Sequence, residues 1–194
     1  EARTLVYTYN PTNPVPTLGG MQLTLPAGPM DQRAIEERHD VLVFSSPALD
    51  EPMEVTGRVR AQLWIASDAP DTDFFVRLCD VYPDGRSFNL VEGMLRTRFR
   101  DGFDREQLLK PGNPTRLNID LGSTSIVFNR GHRLRVHITS SSSPGFDPNP
   151  NTGAPFRSGP ETRTAYNRVF TDRRHPSHIL LPIHPVSARR TARP

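Results

Sequence analysis

Alternation of apolar and polar side chains is the strongest pattern along this chain, and it has the two-residue period of β-strands. The stretch 55–65 alternates apolar and polar residues until Trp64 breaks the polar face, which predicts a strand with one buried face. The stretch 74–81 is apolar on nearly both sets of positions, so it is predicted as a central strand covered on both sides. Pro83 and Gly85 favour a turn into a partner strand at 88–100.

The same period recurs on both sides of this central pair. Strands at 116–121 and 125–128 precede an Asn-Arg-Gly turn and a strand at 133–138, and we predict a β-hairpin across that turn. Shorter strands are predicted at 5–9, 41–44, 166–170 and 178–183.

Helix is expected in two places only. A single turn fits 32–37, and Asp104 can cap a helical segment that runs to Leu109. About ten strands that do not alternate with helices predict an all-β sandwich of the jelly-roll type.

Length and composition agree with this architecture. The 194 residues include 20 Pro and 13 Gly, which suits many short strands joined by turns. We expect a single β-sandwich domain over residues 1–185, because such sandwiches are often undivided at this size, with two small domains as the alternative. The Arg-rich residues 186–194 are expected to form a disordered tail.

The formal net charge of +3 comes almost entirely from arginine. Arginines at alternate positions, such as Arg96, Arg98 and Arg100, are predicted to lie on the outer faces of half-buried strands. They are scattered and lack interleaved aromatic residues, so we expect no nucleic-acid partner. No apolar run has membrane-spanning length and no signal peptide is recognisable, so we expect a soluble protein that is cytoplasmic rather than secreted.

Few residues are arranged for chemistry. The single cysteine, Cys79, lies mid-strand among apolar neighbours and is interpreted as a small core residue. A serine hydrolase needs an activated nucleophile, yet no Gly-x-Ser-x-Gly occurs and the serine run 140–143 lies in a loop. The isolated chain is therefore expected to be inactive.

No metal or cofactor is expected. His175 and His178 are three residues apart, which places them on opposite faces of a strand. Calcium is left open, because Asp147, Asn149 and Asn151 have the alternate oxygen spacing of a calcium loop. Asx-turns between prolines explain the same three residues without an ion.

Eight short motifs occur in one order along the chain. They are Gly-Pro-Met-Asp-Gln-Arg (28–33), Asp-Val-Leu-Val-Phe (40–44), Ser-Asp-Ala-Pro-Asp-Thr-Asp-Phe (67–74), Asp-Val-Tyr-Pro-Asp-Gly-Arg (80–86), Glu-Gly-Met-Leu-Arg (92–96), Gly-His-Arg-Leu-Arg (131–135), Phe-Asp-Pro-Asn-Pro-Asn-Thr-Gly (146–153) and His-Pro-Ser-His (175–178). Together they closely resemble the C-terminal domain of the cocaine esterase and X-Pro dipeptidyl-peptidase family of serine hydrolases.

The resemblance covers about residues 4–185 and implies a galactose-binding-like jelly roll attached to a preceding α/β-hydrolase domain. That other domain would carry the Ser, Asp and His of the triad and cleave esters, amides or X-Pro dipeptides through an acyl-enzyme. The candidates for a wall of its acyl pocket in this chain are Asp71, Asp73, Phe74 and Phe75. The candidates for interdomain packing are Phe146, Asp147, Asn149 and Asn151.

Two questions stay open at this point. A stand-alone carbohydrate-binding module is the alternative function, since jelly rolls often hold sugar sites, although the single tryptophan, Trp64, ends a strand that is predicted to be buried. Homo-oligomerisation is possible.

Overall fold

The computed structural model describes residues 4–23, 25–155 and 157–185. The described part contains ten strands, one short α-helix and one 3-10 turn. In chain order they are β1 (Thr4–Tyr9), α1 (Arg33–Glu36), β2 (Leu42–Ser45), β3 (Met53–Ser67), β4 (Asp73–Val81), β5 (Ser87–Arg96), the 3-10 turn (Thr97–Phe99), β6 (Thr115–Phe128), β7 (Arg133–Thr139), β8 (Ala165–Phe170), β9 (His178–Leu180) and β10 (Ile183–His184).

The strands form two antiparallel sheets that pack as a β-sandwich. One sheet places β1 beside β8, β8 beside β3, and β3 beside β6. The other has the order β2, β7, β4, β5. The strand orders 1-8-3-6 and 2-7-4-5 are those of a jelly roll, so the predicted fold class is confirmed.

Strand β3 organises the larger sheet because it is long enough to pair along both edges. One edge pairs with β6 over Met53–Ile65. The opposite edge pairs in succession with β10, β9 and β8, which are much shorter. Along one edge, β3 therefore has a single long partner, and along the other edge it has three short partners in succession.

The predicted central strand is confirmed. All nine residues of β4 are buried, and the strand lies between β7 and β5. Phe74, Val76 and Leu78 point into the core between the sheets. On the opposite face the segment before β2 reaches the strand, because Arg77 Nη1 donates to the side-chain oxygen of Gln32 at 2.9 Å. That segment also holds a small apolar cluster that includes Val15 and Ile35.

The predicted β6–β7 hairpin is wrong. β6 is one continuous strand that pairs with β3, whereas β7 pairs with β2 and β4 in the other sheet. The turn at 129–132 thus carries the chain from one sheet to the other. Alternation shows which face of each strand is buried, but it contains no information on which strand lies alongside.

The predicted helix from Asp104 to Leu109 is also wrong, since no helical residues occur there. The backbone N–H groups of this segment bind elsewhere: that of Gln107 donates to the carbonyl of Arg98 at 2.8 Å and that of Leu109 to the carbonyl of Pro70 at 2.7 Å. Tertiary hydrogen bonds replace the helical ones. The partner strand also ends earlier than predicted, at Arg96, where the 3-10 turn follows.

Several other predictions have a clear outcome. The helical turn predicted at 32–37 is α1. Cys79 is fully buried, and burial raises the pKa of its thiol to about 12, as expected for a core residue. The predicted tail, 186–194, lies outside the described residues. None of the helices in the described ranges is long and apolar enough to cross a membrane.

Candidate functional site

The candidate site lies where β4 begins and β5 ends. The turn between these strands is closed by hydrogen bonds from Tyr82 N–H to the Arg86 carbonyl and from Gly85 N–H to the Tyr82 carbonyl, at 2.8 and 2.9 Å. That turn sets the register, and after one irregularity at Leu78 it places Arg96 opposite Asp73. The acidic entry of one strand thereby meets the basic end of the next.

Asp71 accepts four hydrogen bonds although its side chain is fully buried. One carboxylate oxygen binds the Thr97 hydroxyl at 2.9 Å and the Arg98 N–H at 3.0 Å. The other binds Arg98 Nε at 2.8 Å and Asn149 Nδ2 at 2.9 Å. Every strong acceptor direction of this carboxylate is used within the chain.

Asp73 is paired in a similar way. Its two oxygens accept hydrogen bonds from Arg96 Nε and Nη2, both at 2.9 Å, in the bidentate geometry that suits Arg and carboxylate. Burial raises the pKa of Asp73, and the Arg96 guanidinium acts against that shift. Asp73 in turn raises the pKa of Arg96, so the two charges stabilise each other.

Asn149 connects both aspartates to the loop at 146–153. Its side-chain amide donates to Asp71 at 2.9 Å and to Asp73 at 2.8 Å. Its side-chain oxygen accepts the N–H of Asn151 at 2.9 Å, and its backbone carbonyl accepts the hydroxyl of Tyr9 at 3.2 Å. The two regions that the sequence singled out separately are therefore parts of one hydrogen-bonded network.

Two arginines complete this network. Both were predicted on the outer faces of half-buried strands. Arg96 lies on the outer face of its sheet opposite Asp73 but is covered there, and Arg98 lies in the 3-10 turn instead of a strand. The side chain of Arg96 is only 16% exposed and that of Arg98 only 6%. Arg98 also binds Glu106 at 3.0 Å and the Ala154 carbonyl at 2.9 Å. The sequence held one usable signal, because two carboxylates at the entry of a buried strand need two positive charges nearby.

The predicted pocket residues differ in where their side chains point. Phe74 is in the sandwich core. Phe75 lies on the opposite face of β4, 4% exposed, with its ring 5.1 Å from that of Phe146 in an edge-to-face contact. Asp147 lies at the surface and pairs with Arg157 at 2.7 Å.

An open apolar depression lies directly outside the network, and we call it the aromatic groove. It has a volume of about 300 Å³. Phe103 is its most exposed member at 85%, and its ring is 5.7 Å from that of Phe99. The groove is lined by Met94, Leu95, Arg96, Phe99, Phe103, Phe146 and Asp147.

Other residues considered for chemistry have structural contacts. The hydroxyl of Ser140 lies 2.7 Å from that of Tyr7, and the hydroxyl of Ser141 accepts the N–H of Val15 at 2.8 Å. His175 packs against the ring of Trp64 with centroids 4.9 Å apart. Within the described ranges, no three His, Cys, Asp or Glu side chains are grouped so that they could hold a metal ion.

Residues 2–180 match the family described as the X-Pro dipeptidyl-peptidase C-terminal non-catalytic domain. The chain belongs to this family.

Relatives of this X-Pro dipeptidyl-peptidase C-terminal domain are longer proteins. Cocaine esterase from Rhodococcus sp. (strain MB1 Bresler) is 45% identical over 181 residues, which are 91% of this chain and 32% of that protein. An aminopeptidase from a marine sediment Thaumarchaeota archaeon superimposes with a TM-score of 0.88 at 30% identity, over 95% of this chain and 34% of that one. An α-amino acid ester hydrolase superimposes with a TM-score of 0.85 at 28% identity, over 93% of this chain and 32% of that one.

The chain thus spans about a third of the length of these relatives. The family resemblance read from the eight motifs is confirmed, and the domain is of the non-catalytic kind.

Proposed function

We propose that this domain is the accessory part of a serine hydrolase and packs on an α/β-hydrolase domain of the same protein through the aromatic groove. The hydrolase domain would supply the nucleophile and its base. The relatives named above are an esterase, an ester hydrolase and an aminopeptidase, which supports cleavage of an ester or amide bond by the whole protein.

The exposure of Phe103 carries the choice of the groove as the packing surface. A phenylalanine that is 85% exposed leaves apolar area in water, and clustered exposed apolar area commonly marks an interface. Phe99 and Phe146 extend this area, and Arg96 and Asp147 lie at its border. An apolar centre with a charged border is the usual composition of a contact between domains.

The buried aspartates would not touch the acyl group in the pocket; they would hold in position the segments that form its wall. Asp71 and Asp73 fix the end of β5 and the loop at 146–153, and the groove lies on those same segments. Phe75 supports the ring of Phe146 from below. In this proposal the surface that they hold in place faces the hydrolase domain and forms one wall of the acyl pocket.

The test replaces the groove aromatics in the natural full-length protein. Phe103→Ser together with Phe146→Ser is expected to separate one cooperative thermal transition into two and to lower kcat/KM for an ester substrate, because the interdomain contact is lost. Tyr166→Ser is the matched control, since Tyr166 is 58% exposed on β8. Equal behaviour of the groove variant and the control would show that the groove is not the packing surface.

A cytoplasmic location stays a prediction, and self-association stays an open question. Fractionation of the producing cells and light scattering of the purified full-length protein test them.

A further inference from the structure

The outer face of the larger sheet gathers arginines that are far apart in the sequence. Side chains alternate between the two faces of a strand, so the residues next to the buried core positions of β3, β6 and β8 point away from the sandwich. The exposed arginines at these outward positions are Arg58 and Arg60 on β3, Arg116 on β6 and Arg168 on β8. We call this surface the arginine face.

The pairing of the strands brings these side chains together. Trp64 on β3 lies opposite Arg116 on β6, and Ala66 lies opposite Arg168 on β8. Neighbouring strands are about 4.8 Å apart and residues advance about 3.3 Å along a strand, so the Cα atoms of Arg60, Arg116 and Arg168 all lie within about 15 Å of that of Trp64. Three separate strands therefore contribute to one positively charged surface.

Two more arginines border the arginine face. The loop between β8 and β9 reaches the outer side of the sheet, because the ring of His175 packs against those of Trp64 and Phe170, with centroids 4.9 and 5.3 Å apart. Arg173 and Arg174 immediately precede His175 and are exposed. The face and its border thus hold six arginines.

Few carboxylates balance this charge. Asp120 accepts a hydrogen bond from Arg58 Nε at 2.8 Å, and Asp172 accepts backbone N–H groups of its own loop. Asp68, beyond the end of β3, is already paired with Arg163 at 2.6 Å. In the part of the chain that the structure describes, the other five arginines have no carboxylate within 4 Å of the guanidinium: Arg60, Arg116, Arg168, Arg173 and Arg174. Since the whole chain has a formal net charge of only +3, its excess positive charge is concentrated here.

The side chains between the arginines indicate what kind of anion would fit. Gln62 and Asn118 lie opposite each other, between Arg60 and Arg116, and no hydrogen bond within the described residues uses either side-chain amide. A side-chain amide has both a donor and an acceptor, so it can bind a peptide group. Leu180 is 55% exposed and borders the same shallow depression, which has a volume of about 370 Å³. Charged, amide and apolar contacts together suit an acidic peptide.

The aromatic residues favour a peptide over a single-stranded nucleic acid. Bases bind to such surfaces by stacking on exposed aromatic rings. Trp64 is half-buried and its ring already contacts that of His175. Tyr166 is 58% exposed but lies beyond Arg168, away from the depression. The arginines are therefore not interleaved with rings on which successive bases could stack.

We propose that the arginine face is a docking surface for a separate protein that presents an extended acidic segment. Carboxylates four residues apart in that segment would reach both Arg60 and Arg116, because four extended residues span about 13 Å. Guanidinium groups bind carboxylates through two parallel hydrogen bonds. The face lies on β3, β6 and β8, whereas the aromatic groove lies on β5 and the loops at 97–103 and 146–147, so the proposal does not depend on how the domain packs on a hydrolase domain.

Fluorescence anisotropy of a labelled peptide, titrated with the natural full-length protein, tests the proposal. The probe is six repeats of Glu-Ser, and six repeats of Gln-Ser form its uncharged counterpart. We expect saturable binding of the acidic probe, weaker binding as NaCl rises from about 50 to about 300 mM, and no binding of the uncharged probe.

Arg60→Gln together with Arg116→Gln is expected to weaken binding at least about fivefold, because two exposed ion pairs are lost. Arg105→Gln together with Arg130→Gln is the matched control, since both residues are exposed and the same charge is removed elsewhere. It is expected to leave the affinity within about twofold. Asn118→Asp keeps every arginine but places a negative charge in the depression, and it too is expected to weaken binding.

Three results would overturn the proposal. The first is the absence of saturable binding of the acidic probe at the lower salt concentration. The second is an equal loss of affinity in the control and in the variant of Arg60 and Arg116, which would mean that the probe responds only to overall charge. The third is tighter binding of a 12-nucleotide thymidine strand, or of vesicles that contain phosphatidylserine, with the loss confined to the same two arginines.

Discussion

At the scale of single residues, the notable feature is a pair of buried carboxylates that are fully matched by two arginines and one asparagine. Asp71 and Asp73 bind Arg98, Arg96 and Asn149 directly. Removing these ions from water costs free energy. Their ion pairs and hydrogen bonds offset that cost only while every partner is present. These side chains therefore act as structural connectors between β4, β5 and the loop at 146–153.

The first prediction concerns the loss of one connector. Asp71→Ala leaves Arg98 buried beside a vacant position and is expected to lower the free energy of unfolding by roughly 3–5 kcal/mol. Asp84→Ala removes the exposed pair with Arg86 and is expected to change stability little. Urea denaturation of both variants measures the difference, and similar midpoints for the two would contradict a structural role for Asp71.

The second prediction concerns pH. His137 lies beside Glu36, with Nε2 2.9 Å from the carboxylate. Burial lowers the pKa of His137 below its usual 6.5, while the Glu36 hydrogen bond acts against that shift. As pH falls through 6.5 the unfolded chain gains a proton that the folded chain does not, so stability decreases until the folded pKa is reached.

His137→Gln keeps a donor for Glu36 but removes the titration. The loss of stability between about pH 7 and about pH 5.5 should therefore be smaller in this variant than in the unmodified chain. His178→Gln, at an exposed position, should leave the loss as it is. Urea midpoints at the two pH values provide the measurement, and an unchanged loss in His137→Gln would refute this assignment.

At the scale of elements, β5 and β6 approach each other closely at the edge of the sandwich. The approach is possible because Gly93 has no side chain: a Cβ there would collide with the backbone carbonyl of Asp120. Backbone cannot move aside as a flexible side chain can. Position 93 therefore needs glycine because the Asp120 carbonyl lies so close, and not because its backbone angles are unusual.

Gly93→Ala is accordingly expected to destabilise the chain by about 1–3 kcal/mol, the usual range for overpacking. Ser123→Ala at an exposed position of β6 serves as the control and should stay within about 0.5 kcal/mol of the unmodified chain. Thermal denaturation of the two variants tests this. A Gly93→Ala chain as stable as the control would mean that the two strands separate without cost.

The sequence predicted the positions of strands better than it predicted which strands pair. The strand from Asp73 to Val81 and its turn follow from local pattern, because burial on both faces and turn chemistry are local properties. The pairing of β6 with β3 is not local, and the hairpin prediction across Asn129–Gly131 failed for that reason. The segment from Asp104 to Leu109 has a sequence typical of a helix, but its backbone N–H groups bind the carbonyls of Arg98 and Pro70 instead of forming helical hydrogen bonds.

The candidate site shows the same limit. Asp71, Asp73, Asn149 and the groove residue Phe146 were identified from the sequence, but their union in one network depends on strand register. Arg98 and Phe103 were missed as members of the site. Burial of an arginine and exposure of a phenylalanine both run against what single residues usually do.

At the scale of the whole molecule, a jelly roll presents an apolar groove at the end where buried ion pairs and hydrogen bonds join β4, β5 and the loop at 146–153. The fold itself needs no such groove, since the core is complete without Phe103. The family consists of C-terminal non-catalytic domains, and the chain spans about a third of its relatives. We therefore expect the rest of the protein to contact this domain at the aromatic groove.

Hydrogen exchange, compared between the isolated chain and the natural full-length protein, tests this account most directly. We predict that peptides covering 97–103 and 146–151 exchange more slowly in the full-length protein, while β1 and β8 exchange equally in both. Equal exchange at 97–103 and 146–151 in the two proteins, or protection confined to another surface, would contradict it.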